Sequence, residues 1–328
     1  MRRAVALFSG GLDSTLAVRI LQEQGFEVEA LNVRTVFECC KARAAKAAAD
    51  LGIRLTVLSV SDDYVDVIRR PVYGYGKGVN ACVDCRIYMC RMAKACMDEA
   101  GACVVVTGEV LGQRSMSQLR WQVEVIERES GLEGRLLRPL SAKLLAPTIP
   151  EREGLIDRSR LYDFNGRGRK GLIALGRRLG VKDLPQPSTG CALTEVTFAP
   201  RVRDLIEFHP SATRWDFELL NVGRHIRLDA RTKAVVGRNE EENALLRGFF
   251  AEPAAPEPAM LHPENFPGPD VLVIGNVSRE TIEFGGALLL RFSKRFDPEN
   301  AQVRLARLTS SEVLRIRQTE AAALALLL

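Results

Sequence analysis

Five apolar residues, Ala4-Val5-Ala6-Leu7-Phe8, run without a break into Ser9-Gly10-Gly11-Leu12-Asp13-Ser14. An unbroken apolar run of this length predicts a strand buried on both faces, as parallel sheets require. Leu16, Ile20 and Leu21 then recur at helical spacing, so a helix opens within residues 13–15. A glycine turn between a strand and a helix N-terminus makes an anion site. Backbone N–H groups converge there, the helix dipole adds to them, and glycine lets a phosphate approach the chain closely. Ser9 and Ser14 bring hydroxyl groups to the same turn. No lysine follows the second glycine, so this is not the Gly-x-x-x-x-Gly-Lys loop. Nor does a third glycine come at the offset of the dinucleotide fingerprint.

Ser9-Gly10-Gly11-x-Asp13-Ser14 after a first strand resembles the pyrophosphate loop of the PP-loop ATPases, which cleave ATP between its α and β phosphates and adenylate a substrate oxygen. The resemblance implies an adenine nucleotide alpha hydrolase-like domain. The order of elements agrees with it. Residues 28–33 and 55–60 read as further strands, with an alanine-rich helix over 39–51 between them. Residues 103–107 read as another buried strand after a helix ending near 99. Strands alternating with helices give an α/β, doubly wound parallel sheet, and a ligand sits beyond the carboxyl ends of its strands.

The chain has 328 residues, more than one typical core needs. No apolar run approaches the roughly 20 residues that span a bilayer, and the first residues lead straight into a strand. We therefore expect no membrane association and a cytoplasmic protein. The formal charge of +5 permits a nucleic-acid partner without demanding one. Eight cysteines in such a chain point to redox, metal or catalytic use for some and plain burial for others.

A second motif follows the strand at 103–107: Thr107-Gly108-Glu109-x-Leu111-Gly112-Gln113-x-x-x-Ser117-Gln118. It resembles the corresponding stretch of tRNA 4-thiouridine synthetases, as does the later Leu137-Arg138-Pro139-Leu140. The tRNA 2-thiouridylases share the pyrophosphate loop and a late cysteine loop, here Ser188-Thr189-Gly190-Cys191. The resemblance covers roughly residues 4–195. The N-terminal RNA-binding region and the rhodanese domain found in some 4-thiouridine synthetases have no counterpart here. It implies ATP-dependent adenylation of a tRNA uridine carbonyl followed by sulfur transfer, with tRNA and a sulfide or persulfide carrier as partners. ATP would lie on Ser9, Gly10, Gly11, Asp13, Ser14, Gly108, Glu109 and Gln113. Mg²⁺ would offset the phosphate charge, with Asp13 placing the ion or ordering the loop, and Glu109 touching adenosine or magnesium. Asp13 also suits a helix N-terminus for its charge alone.

Cys82-x-x-Cys85 and Cys191 lie among turn residues, which burial does not explain. Two uses stay open. Cys191 carries a persulfide and a Cys82 or Cys85 thiol closes a disulfide to release the sulfur. Alternatively, the three thiolates hold a [4Fe–4S] cluster with one open iron, a pattern similar to that of cluster-dependent thiouridylases. Cys90 and Cys103 read as core. Cys39-Cys40 are further candidates to complete a zinc site with Cys82 and Cys85.

Residues 158–182 are rich in Arg and Lys, and Arg167, Arg169 and Lys170 are taken as RNA-backbone candidates. Beyond 200 the pattern changes to a smaller α+β region. Strands are expected at 219–222, 225–228 and 234–236, then a helix over 240–250. A proline-rich linker at 251–269 precedes a last module of strand, helix, strand and a helix opening near 310. The domains expected are thus 1–198 for ATP binding and catalysis, 199–250, and 270–328. Two rival readings keep part of this: a PP-loop enzyme that adenylates a small molecule, and a non-enzymatic RNA-binding protein. The first predicts pyrophosphate exchange driven by a metabolite, the second no AMP release at all.

Overall fold

The computed structural model describes residues 2–37, 43–181, 191–252 and 257–328, and divides the chain into Met1–Thr194 and Glu195–Leu328. The first unit runs β1 (Arg3–Leu7), α1 (Leu12–Gln22), β2 (Glu27–Arg34), α2 (Arg43–Leu51), β3 (Leu55–Ser59), α3 (Asp63–Arg69) and α4 (Cys82–Glu99). It continues with β4 (Val104–Thr107), α5 (Arg120–Glu129), β5 (Leu136–Leu137), α6 (Ile149–Arg152) and α7 (Lys170–Arg178). The strands form one sheet in the order β3-β2-β1-β4-β5, every pair parallel. β1 and β4 are central and apolar on both faces, and Ala4–Leu7 and Val104–Thr107 are all buried. β3, at the edge, alternates between part-buried and exposed residues. The amphipathic face of α1 (Leu16, Ala17, Ile20, Leu21) covers this sheet together with α2 and α7.

The chain leaves β1 for β2 and β3 on one side, then returns to β4 on the other. That reversal opens a crevice beyond the carboxyl ends of β1 and β4, where open α/β sheets take their ligands. The doubly wound sheet is therefore as the sequence leads one to expect, and it places residues 9–14 and 108–118 together.

The second unit comprises α8 (Ala199–Phe208), α9 (Arg214–Leu219), β6 (Arg224–Asp229), β7 (Thr232–Val236), α10 (Glu240–Ala251), β8 (Ala259–Pro263), β9 (Val271–Gly275), α11 (Arg279–Arg291), β10 (Gln302–Ala306), β11 (Ser311–Arg315) and α12 (Glu320–Leu324). Its strands make one antiparallel sheet, β11-β10-β8-β9-β7-β6. Alternate residues feed two cores. Ala234, Leu261 and Val273 face the one beneath α11, and Val235, Met260 and Leu272 the one that holds Leu219 and Leu246.

Four expectations for this region change. The segment read as a linker holds β8, paired on both sides. Pro258 and Pro263 flank its buried Ala259-Met260-Leu261 without breaking the middle of the ladder. The two small modules are consequently one sheet, since β7 from one pairs with β9 from the other. Residues 219–222 are not a strand: Thr213 and Asp216 form a capping box that starts α9, and the segment closes in a turn at Gly223 (φ +72°). Near residue 310 the chain turns back as β11, because Glu312-Val313-Leu314 pairs with β10, and the last helix starts at the Thr319 cap instead. Among the described residues no helix is long and apolar enough to cross a membrane.

Candidate active site

The pyrophosphate-type loop is held in shape by its own small residues. Gly10 takes φ +70°, and a Cβ there would stand 2.7 Å from the Arg43 carbonyl and 2.8 Å from the Ala44 backbone, so the first turn of α2 presses on the loop. Ser14 Oγ donates to the Gly11 carbonyl at 3.0 Å and lies 3.4 Å from Ser9 Oγ. Gly11 is the extended N-cap of α1, and no side chain caps the helix there. Its first N–H groups are thus left for a ligand. Asn32 on β2 donates to the Phe8 carbonyl at 2.9 Å and fixes where β1 ends.

The second loop is pressed onto the first. A Cβ on Gly108 would lie 2.4 Å from Asp13 C and Ser14 N, so only glycine permits this approach. Gln113 Nε2 donates to Asp13 Oδ2 at 3.1 Å. Asp13 Oδ1 is buried and has no hydrogen-bond partner among the described residues. Burial raises the Asp13 pKa above the ordinary carboxylate value, against the opposing effects of Gln113, Arg169 and Arg114. The structure therefore brings together Ser9, Gly10, Gly11, Asp13, Ser14, Gly108 and Gln113. Arg114, and Arg169 of the RNA-backbone candidates, lie near enough for their charges to act on Asp13. Neither arginine's nearness to Asp13 is visible in the sequence, since each sits in a loop among other charges.

Glu109 is placed differently from the expectation that it touches adenosine or magnesium. It is buried, with Oε2 accepting from Arg138 Nε at 3.0 Å and from Thr107 Oγ1 at 3.2 Å. Arg86 Nε stands 3.1 Å from Oε1 as an ion pair outside hydrogen-bond geometry. Burial pushes its pKa up, but the Arg86 and Arg138 guanidiniums outweigh that and hold it down. Arg138 also reaches Glu127 at 3.3 Å and the Val123 carbonyl at 3.2 Å. Glu109 is thus the anchor of the loop. Ser141 does the same for Leu111: its Oγ accepts from Leu111 N at 2.9 Å and donates to the Phe164 carbonyl at 2.6 Å. A cavity of about 430 Å³ lies behind this network, lined in part by Arg120, Glu127, Arg138 and Glu151, and holds none of the loop residues.

Cys82 and Cys85 lie in the first turn of α4, and Cys191 begins the turn that ends the first unit. Gly78 brings that turn in. A Cβ at Gly78 would be 2.4 Å from the Leu193 carbonyl, which accepts from Val79 N at 3.2 Å. Asn80 Nδ2 donates to Cys82 Sγ at 3.1 Å, and the Tyr64 hydroxyl lies 3.1 Å from Cys85 Sγ. Burial raises the Cys85 pKa, partly offset by Tyr64 and Arg86. Tyr64 and Asn80 are the site residues that sequence reasoning missed. Three thiols have the right chemistry for a cluster. However, among the described residues no three His, Cys, Asp or Glu side chains are gathered to hold a metal ion. Cys90 is fully buried, its pKa pushed up to about 12 by burial and Glu109. Cys103 is only part-buried. Cys39, Cys40 and residues 182–190 lie outside the described residues.

Of the basic segment, Arg167 and Lys170 are exposed. Arg158 is engaged by Glu151 and the carbonyls of Ala142 and Leu145, and Arg178 by the Tyr162 hydroxyl.

Comparisons with known proteins fall on the two units separately. Residues 1–143 match the family model described as thiamine biosynthesis protein (ThiI). Residues 223–325 match that of the NFACT protein RNA binding domain. A tRNA-specific 2-thiouridylase MnmA of Sulfurimonas denitrificans is 38% identical over 85 residues, 24% of this chain and 25% of the relative. A tRNA sulfurtransferase of Desulfurococcus amylolyticus is 28% identical over 178 residues, 50% of this chain and 34% of its own length. A solved 4-thiouridine synthetase–RNA complex with bound ATP matches at 20% identity and a TM-score of 0.36, over 55% of this chain and 52% of that one. The chain thus spans only a quarter to a third of these curated relatives. It is similar to PP-loop tRNA thiouridylases, as the motifs at 9–14 and 107–118 imply.

Proposed function

We propose that this protein is an ATP-dependent tRNA sulfurtransferase whose first unit activates a uridine carbonyl and delivers sulfur to it. The observation that carries the reading is the meeting of the two loops: Gly108 packed on the backbone of Asp13 and Ser14, and Gln113 fixing one Asp13 oxygen while the other stays unpartnered. The N–H groups of the α1 N-terminus and the Ser9 and Ser14 hydroxyls bind the pyrophosphate end of ATP. Asp13 Oδ1 suits a magnesium ion, which when bound neutralises phosphate charge and helps pyrophosphate leave. Arg114 and Arg169 add positive charge at the same end.

A uracil carbonyl oxygen is a poor leaving group, and adenylation makes it a good one. The terminal sulfur of a Cys191 persulfide then attacks the activated carbon, and AMP leaves with the bonding pair. A thiolate of the α4 pair attacks Cys191 Sγ. The sulfur–sulfur bond breaks toward the base, which keeps its sulfur as a thiocarbonyl, and a disulfide remains for a dithiol reductant. The likeness of the second unit to an RNA-binding domain supports tRNA as the substrate, with Arg167 and Lys170 on its backbone.

The test is mass spectrometry of tRNA nucleosides from a deletion strain. The expected result is one thionucleoside missing and restored by the intact gene. An unchanged thionucleoside profile, or pyrophosphate exchange that responds to a metabolite and not to tRNA, would refute the reading. An anaerobic spectrum separates the two uses of the cysteines: the thiol mechanism requires an iron-free protein that is fully active.

A further inference from the structure

A large aromatic ring lies open to solvent at the end of the sheet that carries the two loops. Trp121, the second residue of α5, is 50% exposed, and Leu119 just before the helix is 39% exposed. A half-exposed indole leaves about 100 Å² of ring in water. α5 follows β4, so its first turn stands at the carboxyl end of that strand, on the side of Gly108 and Gln113. The backbone between them is stapled. The Gln118 carbonyl accepts from Gly112 N at 2.7 Å, and Gln118 N donates to the Arg114 carbonyl at 2.9 Å. Buried Gln122 accepts from Leu119 N at 2.9 Å and donates to the Ser115 carbonyl at 3.0 Å. Trp121 is three residues past Gln118, at most about 11 Å between Cα atoms. Gln118 in turn is bonded beside Gln113, which reaches Asp13. The exposed ring thus rides on a fixed backbone close to the nucleotide loops. Arg114 and Arg120, both exposed, make the same stretch positive, and Arg120 gives one N–H to the Leu144 carbonyl at 3.0 Å. The first acid of α5 is Glu124, a turn further along.

We propose that Trp121 is a stacking platform for an unpaired base of the RNA substrate, the neighbour of the uridine that enters the site. This rests on the sulfurtransferase reading above. An enzyme that works on an atom of a base takes that base out of its stack. The flanking base then loses a stacking partner just as the uridine reaches the nucleotide. An exposed indole on rigid backbone replaces that partner whatever the flanking base is, because every base has a π-face. A ring between two arginines also matches the alternation of base and phosphate along a single strand.

The experiment uses the chain's own fluorescence. Of its two tryptophans, Trp215 belongs to the second unit and stands edge-on to Phe249 at 5.3 Å between centroids. Trp215→Phe leaves Trp121 as the sole indole emitter. The full-length Trp215→Phe protein is titrated with tRNA from the deletion strain, and Trp121 emission should fall in step with binding and saturate. In the otherwise native chain, Trp121→Ala should raise the Kd for that tRNA about 5- to 150-fold. The salt dependence of binding should keep its slope, because no phosphate contact is lost. Trp121→Phe should recover most of the loss and Trp121→Leu should not. An exposed side chain carries little of the core, so these variants keep the fold. Unchanged emission at saturating tRNA, wild-type binding in Trp121→Ala, a flattened salt slope in that variant, or equal recovery by Trp121→Leu overturns the stack alone. A wild type that binds no tRNA overturns the sulfurtransferase reading with it, and that reading also fails separately, on an unchanged nucleoside profile in the deletion strain.

Discussion

Gly78→Ala separates activation from sulfur delivery. The added Cβ would stand 2.4 Å from the Leu193 carbonyl oxygen, and real Cβ atoms keep at least 3.0 Å. The obstacle is backbone, so the turn carrying Cys191 must retreat by roughly 0.6 Å or more in a close-packed region. The Val79 N–Leu193 O bond, 3.2 Å long, weakens as it does so, at a cost of about 0.5–1.5 kcal/mol. That is too little to unfold the unit. It falls, however, on a group that must meet both a bound nucleotide and a second thiol, where a misplacement near 1 Å costs on the order of 100-fold. Two assays read the halves apart. ATP–pyrophosphate exchange in the presence of tRNA should stay within about twofold of wild type, because residues 9–14 and 108–118 do not touch Gly78 in the contacts that define them. Thionucleoside formation should fall by about 100-fold. Gly248→Ala, in α10 with no atom near its Cβ direction, is the control and should leave both rates alone. Wild-type thiolation in a folded Gly78→Ala protein would refute the argument, as would an equal loss of both halves.

Three further outcomes follow from the charges. Asp13→Asn should abolish AMP formation and yet raise the melting temperature of the ligand-free protein at pH 7. A carboxyl whose folded pKa is raised costs stability once pH exceeds its unfolded value, so this gain should vanish as pH falls below about 4, and a variant that melts below wild type at pH 7 would contradict it. Glu109→Gln should destabilise the first unit by about 3–5 kcal/mol by leaving Arg86 without a carboxylate and Arg138 with Glu127 alone, seen as a lower urea midpoint; lost activity at unchanged stability would instead make Glu109 a ligand group. Charge reversal at Arg167 and Lys170 together should weaken tRNA binding and flatten its salt dependence, whereas an unchanged slope in a filter-binding titration would assign both to solvent.

The sheet was legible because its pattern is local. Ala4–Phe8 and Cys103–Val106 are continuous apolar runs, and a strand buried on both faces leaves little else for such runs to do. Residues 9–14 were legible as well, since glycine and hydroxyl residues between a strand and a helix have few other physical reasons to be there. The second unit was harder for the opposite reason. Its sheet joins strands distant in sequence, and Ala259-Met260-Leu261 is too short a run between prolines to stand out. Only pairing with β9 and β10 makes it a strand. Composition there reads as linker because prolines at strand ends and prolines in linkers look alike in one dimension.

Within the site, what the sequence conceals is direction. Glu109 occupies the right loop for a nucleotide ligand, and its motif is read correctly, but its side chain turns inward to two arginines from α4 and from the stretch after β5. A carboxylate two residues past a strand end points either way, and the deciding partners lie 23 residues before it and 29 after. Arg169 goes the other way, counted with a basic surface and found acting on Asp13. Tyr64 shows the limit most sharply. On sequence it is one more apolar position of a short helix, and nothing in residues 63–69 distinguishes a ring that only fills space from one whose hydroxyl ends on a sulfur. That distinction arises where α3 packs on α4: the Tyr64 ring meets Tyr88 edge-on and its hydroxyl lies 3.1 Å from Cys85 Sγ. Motifs are therefore visible where backbone shape carries them, as in the glycine loops. They become invisible where a side chain from an unrelated helix supplies the last hydrogen bond.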